Sequence, residues 1–246
     1  MLIRAFARSD PGRVREANED SLYQGETLFA VADGLGGHSA GEVASATAIR
    51  ALARLDGTSP EGPEPAREQL LAGFAAANRA VREQAAGDPA YAGMGTTLTA
   101  ALLAGAALVL AHVGDSRAYL LRQGEPLRQL TSDQTVVGEL VRQGRLSPEE
   151  AAAHPYRNVV TAAVGLEAEV AVEVPAPLEL RPGDQVLLCS DGLTEPLDDA
   201  TIAELLASAA DGDGACLALV DAANAAGGPD NVTVVLLRAT EERPPG

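Results

Sequence analysis

Hydrophobic and polar positions along the chain follow two kinds of spacing. Short apolar runs bounded by glycine and polar residues predict β-strands, and Ala-rich stretches with apolar residues every three or four positions predict helices. The strand candidates are 2–7, 22–24, 28–32, 96–103, 107–113, 116–122, 127–130, 159–164, 170–174, 185–189 and 231–237. The helix candidates are 39–55, 67–86, 199–209 and 215–226, with a loop over 58–65 and a polar, helical stretch over 131–156.

The order of these elements predicts the fold class. Most strands are neighbours joined by short turns, and the helices are inserted in pairs, which is typical of an α+β fold rather than of regular βαβ alternation. Many strands are apolar on both faces, so we expect sheets that are covered on both sides. Neither a linker nor a shift in composition divides the 246 residues, and we predict one domain over 1–240 with a frayed tail at 241–246.

Composition and charge narrow the classes of partner. The apolar fraction is 46% and the mean hydropathy is +0.03, which is ordinary for a soluble protein. No apolar run reaches the ~18 residues of a membrane span, and the first residues lack the apolar core of a signal peptide. The formal charge of −17 argues against a nucleic-acid partner, because neutralising phosphates needs clustered Lys and Arg. The same charge favours basic over acidic peptides at low salt.

The two cysteines indicate a compartment. Cys189 and Cys216 both stand in apolar surroundings, and two cysteines are too few for a disulfide scaffold or a four-ligand zinc site. We interpret them as reduced, buried thiols of a cytoplasmic protein.

Four aspartates stand at the ends of predicted strands. Asp33, Asp115 and Asp191 each follow an apolar run, and Asp230 precedes the last strand. Carboxylates that converge at the edge of an apolar core lose solvation and repel each other, at about several kcal/mol per ion. Divalent cations relieve that cost, and carboxylates are ligands that Mg²⁺ and Mn²⁺ take. The alternative is four unrelated turn aspartates, because Asp-Gly is also a turn former.

A basic residue stands close to two acids in the segment 12–20. Arg15 precedes Glu19 and Asp20 by a few positions. An arginine beside a metal-binding cluster of acids could hold a phosphate through bidentate donors. A solvated run of charges is the alternative interpretation.

Seven motifs spread over the chain carry a resemblance to a known family. In order they are REANEDS at 15–21, VADGLGGH at 31–38, GMGTT at 93–97, HVGDSRAY at 112–119, HPYRN at 154–158, CSDGLTE at 189–195 and GGPDNVTVV at 227–235. Together they resemble the metal-dependent PP2C-type (PPM) serine/threonine protein phosphatases, in particular their bacterial branch. The resemblance extends from about residue 10 to residue 237, nearly the whole chain.

The resemblance implies a fold and an activity. The expected fold is a four-layer α-β-β-α sandwich, in which two mostly antiparallel sheets are flanked by helix pairs. The expected activity is hydrolysis of phosphoserine and phosphothreonine on proteins, by a water that a binuclear Mn²⁺ or Mg²⁺ centre activates for in-line attack on phosphorus. The resemblance also implies a monomer whose partners are phosphorylated proteins, among them a Ser/Thr kinase that the phosphatase opposes.

The resemblance further assigns roles to residues. Asp33 corresponds to the acid that bridges the two metals, the carbonyl of Gly34 joins one of them, and Asp191 and Asp230 correspond to the remaining ligands. Arg15 corresponds to the arginine that holds the substrate phosphate. Four more assignments are Glu19 and Asp20 as holders of metal-bound waters, Asp115 as a ligand with Asp191 of a third metal in bacterial members, and Asn158, in a mobile flap over 131–164, as a group that reaches that metal.

Three positions concern histidines. Eukaryotic members often have a histidine directly after the Asp-Gly of the metal site, where this chain has Leu35. His38 is the candidate to replace it as the general acid, and a metal-bound water is the alternative. His112 lies in an apolar run and is interpreted as a satisfied core histidine. Gln134 stands where relatives often have a histidine, which puts a contact at the flap base in doubt.

Two alternative functions remain at this point. One is a non-catalytic regulatory module that keeps the fold, although such relatives lose metal ligands and the four aspartates are present here. The other is a phosphatase specialised for phosphoserine in anti-anti-sigma-type regulators.

Overall fold

Strands and paired helices make up most of the chain. The computed structural model describes residues 1–36, 39–147, 150–151 and 153–241. The strands are β1 (Leu2–Asp10), β2 (Ser21–Gln24), β3 (Leu28–Ala32), β4 (Gly34–Leu35), β5 (Gly95–Thr96), β6 (Leu98–Ala104), β7 (Ala107–Val113), β8 (Arg117–Leu121), β9 (Arg128–Gln129), β10 (Leu178–Glu179), β11 (Gln185–Cys189) and β12 (Val232–Thr240). The helices are α1 (Ser39–Leu52), α2 (Pro63–Gly87), α3 (Val136–Arg142), α4 (Asp191–Thr194), α5 (Asp199–Ser208) and α6 (Gly212–Ala225).

The described strands form two five-stranded sheets and one short pair. The first sheet has the order β1-β12-β11-β8-β9, the second has the order β10-β7-β6-β3-β2, and β4 pairs with β5. Every pairing between these strands is antiparallel. Strands β1 and β12 pair along their whole length, with Leu2 opposite Thr240 and Asp10 opposite Val232.

Three apolar layers hold the sheets and helices together. Helices α1 and α2 pack on the second sheet, and α5 and α6 pack on the first. Between the two sheets, Phe29, Leu110, Leu188 and Val235 are among the buried side chains that fill the middle layer. All five residues of β3 and all seven of β7 are buried, as expected for strands covered on both faces. The structure therefore confirms the four-layer α-β-β-α sandwich.

Two local predictions are wrong. The loop predicted over 58–65 ends earlier, because α2 begins at Pro63, where proline occupies the first turn and needs no amide partner. The segments 159–164 and 170–174 are not strands, since they make isolated bridges at Thr135–Val160, Thr96–Val164 and His112–Glu173 instead of a continuous ladder.

Among the described helices, none combines the length and the apolar character that crossing a membrane requires.

Candidate metal centre

Two carboxylates from different sheets meet at one edge of the sandwich. Asp33 follows β3 of the second sheet, and Asp191 begins α4 directly after β11 of the first. Because the two sheets are packed face to face, these strand ends emerge side by side. The carboxyl groups of Asp33 and Asp191 lie close enough to interact. Burial raises the pKa of Asp33 well above its usual range, and the charges of Asp20, Asp191 and Asp115 raise it further.

The backbone of Asp33 is fixed by the segment 96–97. The Asp33 amide donates to Thr97 Oγ1 at 2.9 Å, while the Thr97 amide (2.9 Å) and Thr96 Oγ1 (2.8 Å) both donate to the Asp33 carbonyl. These three bonds satisfy the main chain and leave the Asp33 carboxyl to face Asp191. At Gly34 an added Cβ would lie 2.3 Å from the carbonyl oxygen of Gly41, so the first turn of α1 packs directly on this glycine.

The turn that carries Asp115 is tied to the same segment. Thr97 Oγ1 and Ser116 Oγ share a buried hydrogen bond of 2.7 Å. Gly114 has φ +105°, and a Cβ there would lie 2.6 Å from Thr97 Cγ2, so a side chain at this turn meets both strain and a clash. Burial raises the pKa of Asp115 to about 8, with a further contribution from the charge of Asp191.

Two carboxylate oxygens at this edge are buried without a hydrogen-bond partner among the described residues. They are Asp20 Oδ1 and Asp191 Oδ1. The other oxygen of Asp20 accepts from Ser190 Oγ at 2.7 Å. Burial raises the pKa of Asp20 to about 7 and that of Asp191 to about 6, and the charge of Asp230 adds to both. A buried acceptor without a donor is costly, and a cation is the partner that such oxygens fit.

Asp230 is held by the guanidinium of Arg15 and by the main chain. Its Oδ2 accepts from Arg15 Nη2 at 2.6 Å, and its Oδ1 accepts from the Asn231 amide at 2.8 Å. The hydrogen bond to Asp230 raises the pKa of Arg15, whose side chain is 51% exposed. In the part of the chain that the structure describes, no three His, Cys, Asp or Glu side chains already converge closely enough to hold an ion. The salt bridge to Arg15 and the Asp33–Asp191 pair are the contacts that these carboxylates make instead.

The donor set nevertheless fits a hard divalent cation. Its side-chain members are carboxylates, and two of their oxygens lack donors. Burial, joined by the charge of neighbouring acids, raises the pKa values of Asp33, Asp115 and Asp191. Oxygen ligands of this kind suit Mg²⁺ and Mn²⁺. Glu19 lies at the same edge, where its Oε2 would stand 2.1 Å from a Cβ added to Gly41.

A cleft of about 750 Å³ opens beside the acids. Asp115 and Asp191 line it, together with Asn158 and other residues of the segment 131–158, and Glu195 and Pro196 lie in its wall. The structure thus brings Asn158 into the same cleft as Asp115 and Asp191.

The base of the predicted flap is anchored next to the acids. Arg117 Nε and Nη2 donate to the carboxylate of Asp133 at 2.9 and 2.6 Å. Gln134 donates its amide to the Gly114 carbonyl (2.8 Å) and accepts from the Gly114 amide through Oε1 (2.9 Å). Gln134, which stands where relatives often have a histidine, thus bonds Gly114 with both its main chain and its carboxamide.

The histidine predictions have different outcomes. His38 lies outside the described residues. His112 is buried, as expected, and its Nδ1 bonds Thr99 Oγ1 at 2.8 Å. Its Nε2 has no hydrogen-bond partner among the described residues, so the expectation of a fully satisfied histidine is wrong. Burial lowers the pKa of His112, which keeps the ring neutral.

Sequence reasoning assigned no role to several residues that organise the site. They are Thr97, Ser116, Asp133, Ser190 and Asn231. Four of them lie within the motifs quoted above or directly beside a candidate acid, and that proximity was the available signal. Their partners are distant in sequence, so the contacts themselves could not be read from the motifs.

Comparison with known proteins finds one family over most of the chain. The model of the family "Protein phosphatase 2C" matches residues 13–221. The serine/threonine protein phosphatase PstP of Mycobacterium tuberculosis (strain H37Rv) is 50% identical over 237 residues, which are 96% of this chain and 45% of PstP. The chain thus spans about half the length of that relative.

Two further matches extend over nearly the whole length of both aligned chains. The serine/threonine phosphatase Stp of Listeria innocua is 39% identical over 242 residues, 96% of this chain and 95% of Stp. The crystal structure of the catalytic domain of PstP in complex with two manganese ions matches with a TM-score of 0.87 and 47% identity, over 98% of this chain and 99% of that one.

Proposed function

The chain belongs to the protein phosphatase 2C family, and we therefore propose that it hydrolyses phosphoserine and phosphothreonine on proteins with the help of Mn²⁺ or Mg²⁺. The observation that carries the proposal is the pair of buried carboxylate oxygens without donors, on Asp20 and Asp191, beside the Asp33–Asp191 contact. The two manganese ions in the PstP catalytic domain support the choice of metal.

The residues that would hold two ions are Asp33, Asp191, Asp230 and the carbonyl of Gly34. Asp115 would complete a third position with Asp191, and Asn158 is proposed as the flap group that reaches it, which their shared cleft supports. Glu19 and Asp20 would act through water. When bound, the ions supply a water that is acidic enough to act as a nucleophile at neutral pH.

The chain's own groups orient the substrate. We propose that Arg15 binds the phosphate through its planar guanidinium, which is half exposed and next to Asp230. Positive charge at this point stabilises the negative charge on the phosphoryl oxygens as the bond to the leaving group breaks. His38 remains the prediction for the group that protonates the leaving alkoxide.

The shape of the site supports a polypeptide substrate. The cleft of about 750 Å³ beside Asp115 and Asp191 has room for residues that flank the phosphorylated one. Its walls include apolar groups, such as Val137, Val141 and Pro196, together with the charged side chains of Arg157 and Glu195. This mixture suits peptide side chains better than a bare phosphate ester.

The wider biological assignments are part of the proposal. We propose a cytoplasmic monomer that opposes a Ser/Thr kinase, with residues 1–240 as one catalytic domain and 131–164 as its flap. The two cysteines support the compartment, since both are buried and free. The apolar layer between the sheets supports a single catalytic unit.

The test is phosphate release from a phosphothreonine peptide by the purified protein with Mn²⁺, with Mg²⁺ and with EDTA. We expect release with either metal and none with EDTA. Asp191→Ala should lose at least about a hundredfold in kcat/KM. Asp213→Ala is the matched control, because Asp213 is also followed by glycine but lies exposed in the first turn of α6. No release by folded wild-type protein under any metal would favour the non-catalytic module.

A further inference from the structure

The loop between β1 and β2, residues 11–20, has neither helix nor strand to fix its shape. It carries Arg15, Glu19 and Asp20, so its conformation decides where these side chains point. A loop of this kind is held by individual hydrogen bonds to the rest of the protein. The source of those bonds therefore determines the position of the arginine.

One buried side chain supplies bonds to both ends of this loop. Asn231 is 4% exposed, and its Nδ2 donates to the carbonyls of Pro11 (3.0 Å) and Ala17 (2.8 Å). Its Oδ1 accepts from the amide of Glu19 at 2.7 Å. A single carboxamide thus hydrogen-bonds residues that precede Arg15 and residues that follow it.

The same residue also holds the partner of Arg15. The Asn231 amide donates to Asp230 Oδ1 at 2.8 Å, while Asp230 Oδ2 accepts from Arg15. An added Cβ on Gly192 would lie 2.0 Å from the Asn231 carbonyl oxygen, so the start of α4, which carries Asp191, packs directly on Asn231. Asn231 therefore connects the loop 11–20 (the arginine loop) to Asp230 and to the start of α4.

We propose that Asn231 is a positioning residue for Arg15, acting through the loop that presents the guanidinium to the substrate phosphate. The inference rests on the proposed function, which makes Arg15 the phosphate ligand. Without the carboxamide, three hydrogen bonds to the loop are lost. The backbone groups of Pro11, Ala17 and Glu19 must then hydrogen-bond water instead. The guanidinium would then sample several positions and bind phosphate more weakly.

The chain offers a matched control for this role. Asn78 is 2% exposed and clamps a different loop with the same chemistry. Its Nδ2 donates to the carbonyls of Glu167 (3.0 Å) and Ala168 (3.2 Å), and its Oδ1 accepts from the Gly165 amide at 2.7 Å. Removing it should cost comparable stability without moving Arg15.

The first measurement is the inhibition constant of inorganic phosphate, the product, with a phosphothreonine peptide as substrate and Mn²⁺ constant. Asn231→Ala should raise this constant at least about fivefold and raise KM more than it changes kcat, whereas Asn78→Ala should stay within about twofold. Asn231→Leu and Asn78→Leu keep the side-chain volume and serve if the alanine variants do not fold.

A double-mutant cycle tests whether the effect passes through Arg15. In an Arg15→Ala background, Asn231→Ala should raise the phosphate inhibition constant no further, because the group that it positions is gone. An equal rise in both backgrounds, or an unchanged constant in the single variant, would overturn the proposal.

A second readout does not depend on catalysis. Arg13 and Arg15 are exposed trypsin sites within the loop, and a loosened loop is cut faster. Asn231→Ala should speed cleavage after these two residues at least about threefold, and Asn78→Ala should not. Equal rates in wild type and Asn231→Ala would overturn the proposal. An inactive wild-type protein with the expected cleavage difference would overturn the proposed function and confirm the hold of Asn231 on the loop.

Discussion

The buried carboxyl groups of Asp33 and Asp191 lie close enough to interact although they follow strands of different sheets. Burial raises the pKa of both acids, that of Asp191 to about 6, so the metal-free site keeps a proton at a pH where a carboxylate in water has lost it. A cation at this edge takes the place of that proton, because metal ligands bind in their deprotonated form.

The first prediction concerns Asp115 and the stability of the metal-free protein. Burial raises the pKa of Asp115 from 3.8 to about 8, so the folded protein binds a proton that the unfolded chain releases. The resulting stability is full below about pH 4 and is lost as the pH rises through about 8. Asp115→Asn should therefore differ least from wild type near about pH 4 and exceed its Tm by roughly 5 °C or more at pH 8.5, measured by thermal denaturation in EDTA.

Manganese should reverse this order. If Asp115 is a metal ligand as proposed, Mn²⁺ binds its ionised carboxylate, so wild type should be the more stable protein at pH 8.5. The difference between the two proteins cancels other titrations, such as that of His112, whose lowered pKa acts in the opposite direction. A difference in Tm that does not change between pH 5 and pH 8.5 in EDTA would contradict the prediction.

The second prediction concerns the guanidinium of Arg15. Arg15→Lys keeps the charge but loses the planar pair of donors, and Arg15→Ala loses both. We expect KM for a phosphopeptide to rise about threefold in the lysine variant and about tenfold or more in the alanine variant. Steady-state kinetics measures this, with Arg13→Ala as a control two residues away. Equal KM values for the lysine variant and wild type would show that the bidentate geometry is unimportant.

The third prediction concerns a salt bridge far from the acids. Arg122 Nε and Nη2 donate to the carboxylate of Asp184 at 2.8 and 2.7 Å, and Asp184 is 2% exposed. Burial alone would raise the pKa of Asp184, but these bonds and the one from the Arg181 amide outweigh it and lower that pKa. Asp184→Asn should lose about 3 kcal/mol of unfolding free energy at pH 7.

The pH dependence of that loss has the opposite sign to that at Asp115. A lowered pKa gives stability that is present above about pH 4 and is lost as the pH falls through the folded value. Urea denaturation of Asp184→Asn and wild type should therefore converge below about pH 4. Glu139→Gln is the control, since its pair with Arg142 is exposed and should contribute little to the unfolding free energy at any pH. A gap that stays constant from pH 7 to about pH 3.5 would count against the ion pair as its source.

The fourth prediction concerns the net charge of −17. Long-range attraction should favour phosphopeptides with basic flanks over those with acidic flanks at low salt. The ratio of their kcat/KM values should fall towards one between about 20 and about 300 mM salt, because the screening length shortens. A ratio that does not respond to salt would place the preference in short-range contacts of the cleft.

The sequence predicted the fold well where spacing decides the structure. The hairpin of β6 and β7 and the paired helices follow from apolar periodicity and turn residues, which are local signals. The segments 159–164 and 170–174 were misassigned because their apolar residues pack against the body of the protein while their backbones find partners at single positions. Apolar content alone does not distinguish these two situations.

The site was predictable as a set of acids but not as a set of contacts. The position of Asp33 and Asp191 after buried strands indicated convergence, because strand ends meet at sheet edges. The hydrogen bonds of Asn231 join residues more than 200 positions apart. A short motif carries no information about contacts this distant in sequence. The hydrogen bonds from Asn231 to the arginine loop could therefore be found only in the structure.

The pairing of β1 with β12 has a consequence for synthesis of the protein. Strand β1 cannot pair along its length until residues 232–240 have been synthesised. Asp230 lies just before these residues. Contacts of such high sequence separation form late and slowly. On the ribosome the arginine loop therefore lacks its hydrogen bonds to Asn231 until nearly all of these residues have emerged. The same delay applies to Asp230, which cannot take its place beside Arg15 before these residues are in position.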